Sequence, residues 1–386
     1  MTVAPTERFL LASAFTLAAS NSVVFALLGN LQDEFGFGDI GLGFIAASGF
    51  VVSFLVQVFV APLADRGHTK SLLLAGPILA IVGNLLFASG SSLVQFIVAR
   101  ALAGAAAGVF FPPARAVVAS LSTERVSERI GALSGIELAG FVTGPVIGGL
   151  LVGPLGLRWP FVIFSLLAFV AGVLVISRPV PALASSTESA RLPFGLLRHR
   201  PVLVGTLFAV ALALPVGLYD SLWDRYLTDL GASDAVVGLS LAAYAAPFVL
   251  LSRRGGRLAD RVGHVRVAFL GLLVVAPLTA AYGWFDDPLA PIAIGVVEAS
   301  AQAAAAPAAL GLIARGAPAG RAAAAQGLVG ACNQLVAAGV AIVATWGYGA
   351  TTPATLFTVV GAALLILGSI ARWLAPRGAS AGRLSS

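Results

Sequence analysis

The sequence predicts an all-α membrane protein whose twelve transmembrane helices form two pseudo-symmetric bundles of six. Hydrophobic residues make up 59% of the 386 residues and charged residues only 10%, whereas a soluble domain carries about 25% charged residues. Apolar segments of about 18 residues or more recur along the chain, and uninterrupted runs of this length indicate helices rather than a membrane barrel. The tetrapeptide Leu-Ala-Asp-Arg at 63–66 recurs at 258–261, about half the chain length away. Such a repeat is typical of two homologous halves.

Twelve apolar segments can be placed in order along the chain. The first half contains Phe9–Leu31, Gly41–Leu63, Ser71–Ser89, Leu93–Val118, Gly131–Val152 and Trp159–Ile176. The second half contains Val202–Trp223, Ala235–Leu251, Val267–Trp284, Leu289–Ala314, Ala322–Trp346 and Ala354–Trp373. The first run exceeds the usual length of a signal-peptide core, so it is predicted to be a retained helix.

The two sets of six are separated by a polar stretch, residues 178–200, which contains three prolines and four arginines. This composition predicts a linker. The predicted domains are therefore an N-terminal bundle over 1–177, a cytoplasmic linker over 178–200, and a C-terminal bundle with a short cytoplasmic tail over 201–386.

The distribution of Lys and Arg predicts the orientation of the helices, because basic loops favour the cytoplasmic side. With both termini inside, 20 of the 23 basic residues fall in cytoplasmic connections, the linker or the tails. Only Arg158 and Arg225 fall outside, and Arg100 falls within a segment. The sequence therefore predicts a multi-pass protein of the cell membrane with both termini in the cytoplasm.

Few residues are suited to metal or cofactor chemistry. Cys332 is the single cysteine, which excludes an intrachain disulfide and a thiolate metal cage. The basic residues are scattered among short loops, so topology explains them better than nucleic-acid binding does. No metal, cofactor or nucleic-acid partner is predicted. An enzyme is disfavoured because the chain lacks metal-ligand clusters and nucleotide-binding loops.

The repeated loop is an island of charge between apolar runs in each half. Glycine allows close approach of helix ends, and a carboxylate there can accept bonds from the free N–H groups that start a neighbouring helix. Arg and Lys can bridge the carboxylate or face anionic headgroups. The alternative is a topological stop signal made of solvated charges. The second copy keeps both glycines of the pattern, Gly256 and Gly263. The first copy has Ala61 and His68 at these two positions. The candidate residues are Asp65, Arg66, Lys70, Gly256, Asp260, Arg261 and Gly263.

A glycine-rich string lies in the fifth segment, with Gly140, Gly144, Pro145, Gly148 and Gly149 in the pattern G-x-x-x-G-P-x-x-G-G. Glycines four residues apart line one helical face and permit close helix packing. The proline removes a backbone hydrogen bond and kinks the helix. The alternative is an ordinary packing seam of small residues.

Arg100 lies inside the fourth segment and is followed by Gly104 and Gly108. An arginine within an apolar span costs at least about 2.5 kcal/mol on insertion scales, so it should face a cavity or a partner. It lies about seven residues from the start of the segment, roughly 10 Å. The alternative is therefore that its side chain extends to the outer headgroups.

Together these features resemble the major facilitator superfamily of secondary transporters over nearly the whole chain. The glycine string resembles the antiporter signature of the drug:proton antiporter branch. The resemblance implies that the loop repeat is a cytoplasmic latch that holds the two halves together in the outward-open state. It implies a hinge and a seal against proton leak for the glycine string, and a link to proton transfer for Arg100. It also implies a monomer.

Two acids lie clearly within predicted helices, Glu137 in the fifth segment and Glu298 in the tenth. A carboxyl group removed from water holds its proton more readily, so either could carry a proton. Glu137 shares a helical face with the glycine string. The alternative for each is a buried ion pair, for example with Arg100, or a solvated acid. Asp220 is a weaker candidate, because Tyr219 and Trp223 indicate the outer end of its segment.

Several uncharged polar side chains could line a substrate pocket. Amides hydrogen-bond without a fixed charge, which suits a neutral or mildly polar solute. Each could equally form a hydrogen bond between helices. The candidates are Asn21, Gln57, Tyr244, Gln302, Asn333 and Gln334.

The sequence thus predicts a secondary active transporter that exports small, largely apolar compounds or drugs by alternating access, driven by the proton gradient. Its predicted partners are a small-molecule substrate, protons and the lipid bilayer. The alternative within this fold is a transporter for a sugar or another polar metabolite, by efflux or by facilitated diffusion. The alternative from another class is a membrane-embedded sensor.

Overall fold

In the computed structural model the described residues, 5–37, 39–183 and 193–375, form helices joined by short turns and contain no strand. The first half contains α1 Pro5–Ser22, α2 Leu28–Phe35, α3 Asp39–Phe59, α4 Thr69–Ser89, α5 Leu93–Ser120, α6 Val126–Leu155 and α7 Trp159–Ser177. The second contains α8 Arg200–Asp229, α9 Asp234–Val262, α10 His264–Ala281, α11 Leu289–Gly316, α12 Ala322–Ala350 and α13 Pro353–Leu374. Short 3-10 helices cover Val23–Ala26, Ala61–Arg66, Pro193–Arg198 and Tyr282–Trp284.

Within the described residues, twelve helical segments of 19 to 30 residues are long and apolar enough to cross a membrane. They match, in order, the twelve segments placed from the sequence. The predicted linker over 178–200 lies partly outside the described residues, and its last part contains the 3-10 helix Pro193–Arg198.

The first predicted segment is not one helix, and the expectation of a continuous Phe9–Leu31 is wrong. The α-helix ends at Ser22, a 3-10 turn covers Val23–Ala26, and α2 begins at Leu28. The Ser22 hydroxyl donates to the Ala19 carbonyl oxygen at 3.2 Å. This bond from a serine back to the preceding turn favours bending of a helix.

The second predicted segment, Gly41–Leu63, also ends differently. Helix α3 stops at Phe59, and residues Ala61–Arg66 continue as a 3-10 helix with Pro62 in its first turn. A proline ring clashes with the carbonyl group four residues earlier in an α-helix, so the α-helical pattern cannot continue through Pro62 without strain.

The chain forms two compact units. One takes the described residues within Met1–Ser120, Ile136–Pro193 and Pro318–Ala331, and the other those within Leu121–Gly135, Phe194–Ala317 and Cys332–Ser386. Each unit therefore includes a short segment from the other half of the sequence. The start of α6 belongs to the unit of the second half, and the start of α12 to the unit of the first. The predicted domain limits at the linker stay a prediction.

The sequence repeat is visible in the packing inside each unit. In the first, the rings of Phe87 and Phe161 lie 4.9 Å apart. In the second, the rings of Tyr282 and Phe357 lie 5.6 Å apart. Tyr282 lies 195 positions after Phe87, and Phe357 lies 196 positions after Phe161. The two copies of the loop repeat are also 195 positions apart. The same pair of helix faces is thus filled by aromatic rings in both units.

Candidate functional site

The carboxylate of Asp65, in the first copy of the loop repeat, binds the start of α12. Its two oxygens accept hydrogen bonds from the backbone N–H groups of Ala323 at 2.9 Å and Ala324 at 2.8 Å. Asp65 is only 1% exposed. The first N–H groups of a helix have no partner within the helix and carry its positive dipole end, so a buried carboxylate satisfies both requirements.

The carboxylate of Asp260, in the second copy, binds the start of α6 in the same way. It accepts from the backbone N–H groups of Ser127 at 3.1 Å and Glu128 at 2.9 Å. We call the contact of Asp65 the first latch contact and that of Asp260 the second latch contact. Because the two acceptors and the two helix starts recur together, the repeat extends to the partners of the loop as well.

The second latch contact has additional charged partners that the sequence analysis missed. His264 Nε2 lies 3.2 Å and Arg315 Nη2 lies 3.4 Å from Asp260 Oδ1. Glu128 Oε1 accepts from Arg257 at 2.8 Å and Arg253 at 3.2 Å. In the first copy the position of Glu128 is taken by Ala324, so this ion-paired layer has no equivalent there. The two arginines that bind Glu128 are 125 and 129 residues away from it in the sequence, so no local pattern indicates the pairing.

Glycine has a conformational role in both copies of the loop. Gly67 has φ +91° and ends the 3-10 helix, while Gly263 has φ +109° and ends α9. The glycine that is displaced by one position in the first copy therefore still provides the left-handed turn. At Gly256 an added Cβ would collide with the Ser127 carbonyl group. Ala61 at the equivalent position is accommodated, because it faces Gly327.

One basic residue of the loop repeat binds the end of a neighbouring helix. Lys70 Nζ donates to the Ile176 carbonyl oxygen at 3.1 Å, which satisfies an acceptor at the end of α7. Arg66 and Arg261 are exposed. The bridging of Asp65 or Asp260 by the basic residues of the loop stays a prediction.

The glycine string of α6 packs tightly against α1 and the turn that follows it. A Cβ at Gly140 would collide with the Phe15 carbonyl group, and one at Gly144 with Ala19 and Ser22. At Gly148 the nearest atom would be Val23 Cγ2, at 2.7 Å. Gly149 has more room, with Ala26 Cβ at 4.0 Å. The spacing of four residues thus produces the close helix contact that it predicts, and Pro145 lies inside α6.

Arg100 is buried between helices of the first half. It is 3% exposed, and its Nη1 donates to the backbone carbonyl of Asn21 at 3.1 Å and to Asn21 Oδ1 at 3.0 Å. Its guanidinium carbon lies 4.6 Å from the Phe25 ring centroid, a cation–π distance. The alternative in which Arg100 extends to the headgroups is therefore wrong. No carboxylate of the described residues forms an ion pair with it.

Glu137 is held in an ion pair, but with a different partner from the one considered above. Arg115 Nη2 donates to its two carboxylate oxygens at 2.7 and 3.0 Å. The side chains are 15% and 25% exposed, respectively. The suggested pair with Arg100 is not observed, because Arg100 binds Asn21. Protonation of Glu137 would have to break this ion pair.

Glu298 is surrounded by neutral hydrogen-bond donors. It is fully buried; Tyr219 and Tyr282 donate to Oε2, while Thr279 and Gln302 donate to Oε1 at 3.2 and 2.8 Å. Among the residues that the structure describes, none with a positive charge pairs with it. Four donors can stabilise a carboxylate without a counter-ion, and they leave the charge free to be cancelled by a proton.

A family model described as the Major Facilitator Superfamily matches residues 10–222 and 218–385 of this chain. These two matches cover nearly all of the sequence. The chain belongs to the Major Facilitator Superfamily. It is therefore a multi-pass membrane transporter, and the predicted fold class of twelve helices in two related bundles is confirmed.

Curated relatives and solved structures agree with this assignment. The chain is 27% identical over 291 residues to the multidrug resistance protein MdtG of Klebsiella pneumoniae (strain 342), covering 71% of this chain and 70% of the relative. It is 29% identical over 258 residues to MdtG of Serratia proteamaculans (strain 568), covering 64% and 62%.

Two solved structures share the fold. The outward conformation of the transporter FucP has a TM-score of 0.80 at 15% identity, covering 96% of this chain and 98% of FucP. The human organic anion transporter MFSD10 has a TM-score of 0.77 at 17% identity, covering 95% and 99%. At these identities the likeness concerns the fold alone.

For this superfamily member the sequence analysis missed most of the Glu298 cluster. Tyr219 was interpreted as marking the outer end of a helix, and Tyr282 and Thr279 were not considered. The side chain of Asp220 lies outside the described residues. One signal was available: all five tyrosines lie between residues 219 and 348. A hydroxyl group in an apolar span needs a partner, and Glu298 is the acid within reach.

Four of the six predicted pocket residues form hydrogen bonds with other side chains. Asn21 binds Arg100, Gln57 Nε2 donates to Ser53 at 3.2 Å, and Gln302 donates to Tyr244 at 2.9 Å as well as to Glu298. Asn333 and Gln334 in α12 are partly buried. Their role in a substrate pocket stays a prediction.

Proposed function

We propose that this transporter is an exporter of small, largely apolar compounds or drugs, driven by the proton gradient through alternating access. The observation that carries the coupling is Glu298, a fully buried carboxyl whose described partners are all neutral. Such a group can gain or lose a proton without breaking an ion pair, whereas Glu137 would have to leave Arg115. Glu298 is therefore the proton carrier in this proposal, and Glu137 a structural ion pair of the first half.

Export of drugs is supported by two kinds of observation. The curated relatives are multidrug resistance proteins. The glycine string that resembles the antiporter signature packs closely against α1, as a seal requires. The proposal includes both termini in the cytoplasm, a location in the cell membrane, and a monomer without a cofactor. Arg100, held by Asn21, is proposed to contribute a fixed positive charge to the coupling in the first half.

The substrate class is tested with a growth-inhibition panel. A host lacking its own exporters, with and without this protein, is exposed to neutral, cationic and anionic antibacterial compounds. We expect resistance to neutral or weakly polar compounds, and we expect a protonophore to abolish it. Resistance to none of the compounds, together with counterflow of a sugar in proteoliposomes, would instead support the transport of polar metabolites.

The coupling is tested with Glu298→Gln, which keeps the shape of the side chain but cannot exchange a proton. With a compound from the panel, we expect this variant to retain counterflow and to lose accumulation driven by a proton gradient, by at least about tenfold. The matched control is the double variant Glu137→Gln with Arg115→Gln, which removes the ion pair without leaving an unpaired charge. It should keep proton-driven transport. If the two results are reversed, Glu137 is the carrier and the assignment to Glu298 is wrong.

A further inference from the structure

The four donors to Glu298 come from four different elements. Tyr219 is in α8, Thr279 in α10, Tyr282 in the 3-10 turn after α10, and Gln302 in α11 one turn beyond Glu298. Three helices and one 3-10 turn therefore contribute hydrogen bonds to the carboxyl. Its described titratable neighbours are Tyr219 and Tyr282, which touch it, and Tyr244, which is linked through Gln302. No charged side chain of the described residues contacts this cluster.

The two tyrosines differ in exposure. Glu298, Thr279 and Tyr282 are each 0% exposed and Gln302 is 2% exposed. Tyr219 is partly exposed, so it is the least buried of the four donors. Its hydroxyl binds the same oxygen, Oε2, as that of Tyr282.

On the basis of the proposed function, we propose that Tyr219 and Tyr282 are positioning residues that set the proton affinity of Glu298, and that Tyr219 is the entry point of the proton. A hydroxyl can accept a proton on its oxygen and pass its own hydrogen to Oε2, so that the carboxyl becomes neutral and the tyrosine is unchanged. Tyr282 binds the same oxygen but is fully buried. It therefore affects the pH at which Glu298 is protonated, but not the rate at which the proton reaches Glu298.

The direction of the effect follows from hydrogen-bond strength. A bond to an ionised carboxylate is about twice as strong as a bond to a neutral group. Replacing either tyrosine by phenylalanine therefore weakens the ionised form more than the protonated form. Glu298 should then take up its proton at a higher pH, by about one pH unit for each lost bond, which is about tenfold in proton affinity.

The structure contains a natural reporter for this titration. The ring of Trp223 lies 5.2 Å from that of Tyr219 and 5.3 Å from that of Tyr282. The chain has five tryptophans in all. A full-length variant that keeps only Trp223, with the others replaced by phenylalanine, reports the cluster by fluorescence without any substrate.

A matched control is available in the same aromatic cluster. Tyr226 is also in α8, is 2% exposed, and donates its hydroxyl to the backbone carbonyl of Tyr282 rather than to Glu298. Its replacement by phenylalanine removes a buried hydroxyl beside Trp223 but no bond to the carboxyl.

The test is a pH titration and a rapid pH jump in the Trp223-only protein. We expect Glu298→Gln to abolish the pH response, Tyr219→Phe and Tyr282→Phe to raise its midpoint by about one pH unit, and Tyr226→Phe to leave it unchanged. We expect only Tyr219→Phe to slow the response to the jump, by at least about tenfold. The proposal is overturned if Tyr219→Phe and Tyr282→Phe titrate like Tyr226→Phe, or if Tyr219→Phe responds as fast as Tyr282→Phe.

These outcomes are separable from the fate of the proposed function. If Glu298→Gln abolishes the titration but proton-driven transport continues, the coupling proposal fails while the roles of the two tyrosines stand. If Glu298→Gln abolishes both and the tyrosine variants behave like the control, the tyrosine proposal alone fails.

Discussion

At the scale of single residues, Asp65 and Asp260 occupy the same position in the repeat but not the same environment. Asp65 accepts from two backbone N–H groups, has Arg321 as a charged neighbour, and is almost fully buried. Asp260 makes the equivalent two bonds and also contacts His264 and Arg315. These two side-chain contacts add to the second latch contact, although Arg315 is partly exposed and contributes only about 0.5 kcal/mol.

This difference predicts which of the two variants, Asp65→Asn or Asp260→Asn, impairs the protein more. Asparagine presents one acceptor and one NH2 group, so it cannot accept from both N–H groups, and each variant leaves a donor unsatisfied at a cost of about 1–3 kcal/mol. Asp260→Asn also loses its ionic partners. We expect Asp260→Asn to lower the transport rate and the melting temperature at least as much as Asp65→Asn, measured side by side in the same detergent and proteoliposomes. A larger effect of Asp65→Asn would contradict the interpretation of the second contact as the stronger one.

At the scale of elements, α6 combines two functions in one helix. Its first turn donates N–H groups to Asp260. Further along, its glycines let the backbone of α1 approach closely. The two contacts belong to different units: the first turn of α6 lies in the unit of the second half, and its glycine string in the unit of the first.

The close packing of α6 on α1 predicts a contrast between two glycines of the same string. Alanine at 144 collides with Ala19 and Ser22, while alanine at 149 finds its nearest neighbour at 4.0 Å. We expect Gly144→Ala to destabilise the protein by about 1–3 kcal/mol through overpacking and to impair transport.

Gly149→Ala is the control for this pair and should be neutral or slightly stabilising, since alanine favours a helix over glycine by about 0.5–1 kcal/mol. Thermal unfolding in detergent and the initial transport rate measure both variants. Equal behaviour of the two would show that the helix contact at Gly144 is not as tight as the structure indicates.

At the scale of the whole molecule, the orientation in the membrane can be tested directly. Thr123 lies between α5 and α6, Asp286 lies between α10 and α11, and both are exposed. In a Cys332→Ser background, we expect Asp286→Cys to react with an impermeant maleimide in intact cells, and Thr123→Cys to react only after permeabilisation. The arrangement follows from the bias of basic residues toward the cytoplasm. Labelling of Thr123→Cys in intact cells would reverse the proposed orientation.

Much of the fold could be predicted from the sequence, because the signals are local. Length and hydropathy fix the number of spans, and the half-length repeat of Leu-Ala-Asp-Arg reveals the two related halves. The spacing of the glycines in the glycine string is sufficient to predict a close helix contact. The break after Ser22 was missed, since a 3-10 turn within an apolar run leaves hydropathy unchanged.

The sequence by itself determined which residues were unusual, and only the tertiary structure decided what they bind. Glu137, Glu298, Arg100 and Asp65 all stood out as charges near or within apolar segments. Apart from Gln302, their partners are 16 to 259 positions away, on other elements whose facing sides are set by packing rather than by local pattern. Burial makes every such charge find a partner, but the sequence does not say which one. The pairing of Glu137 with Arg115, and of Glu298 with two tyrosines, is the tertiary information that separates a structural ion pair from a candidate proton carrier.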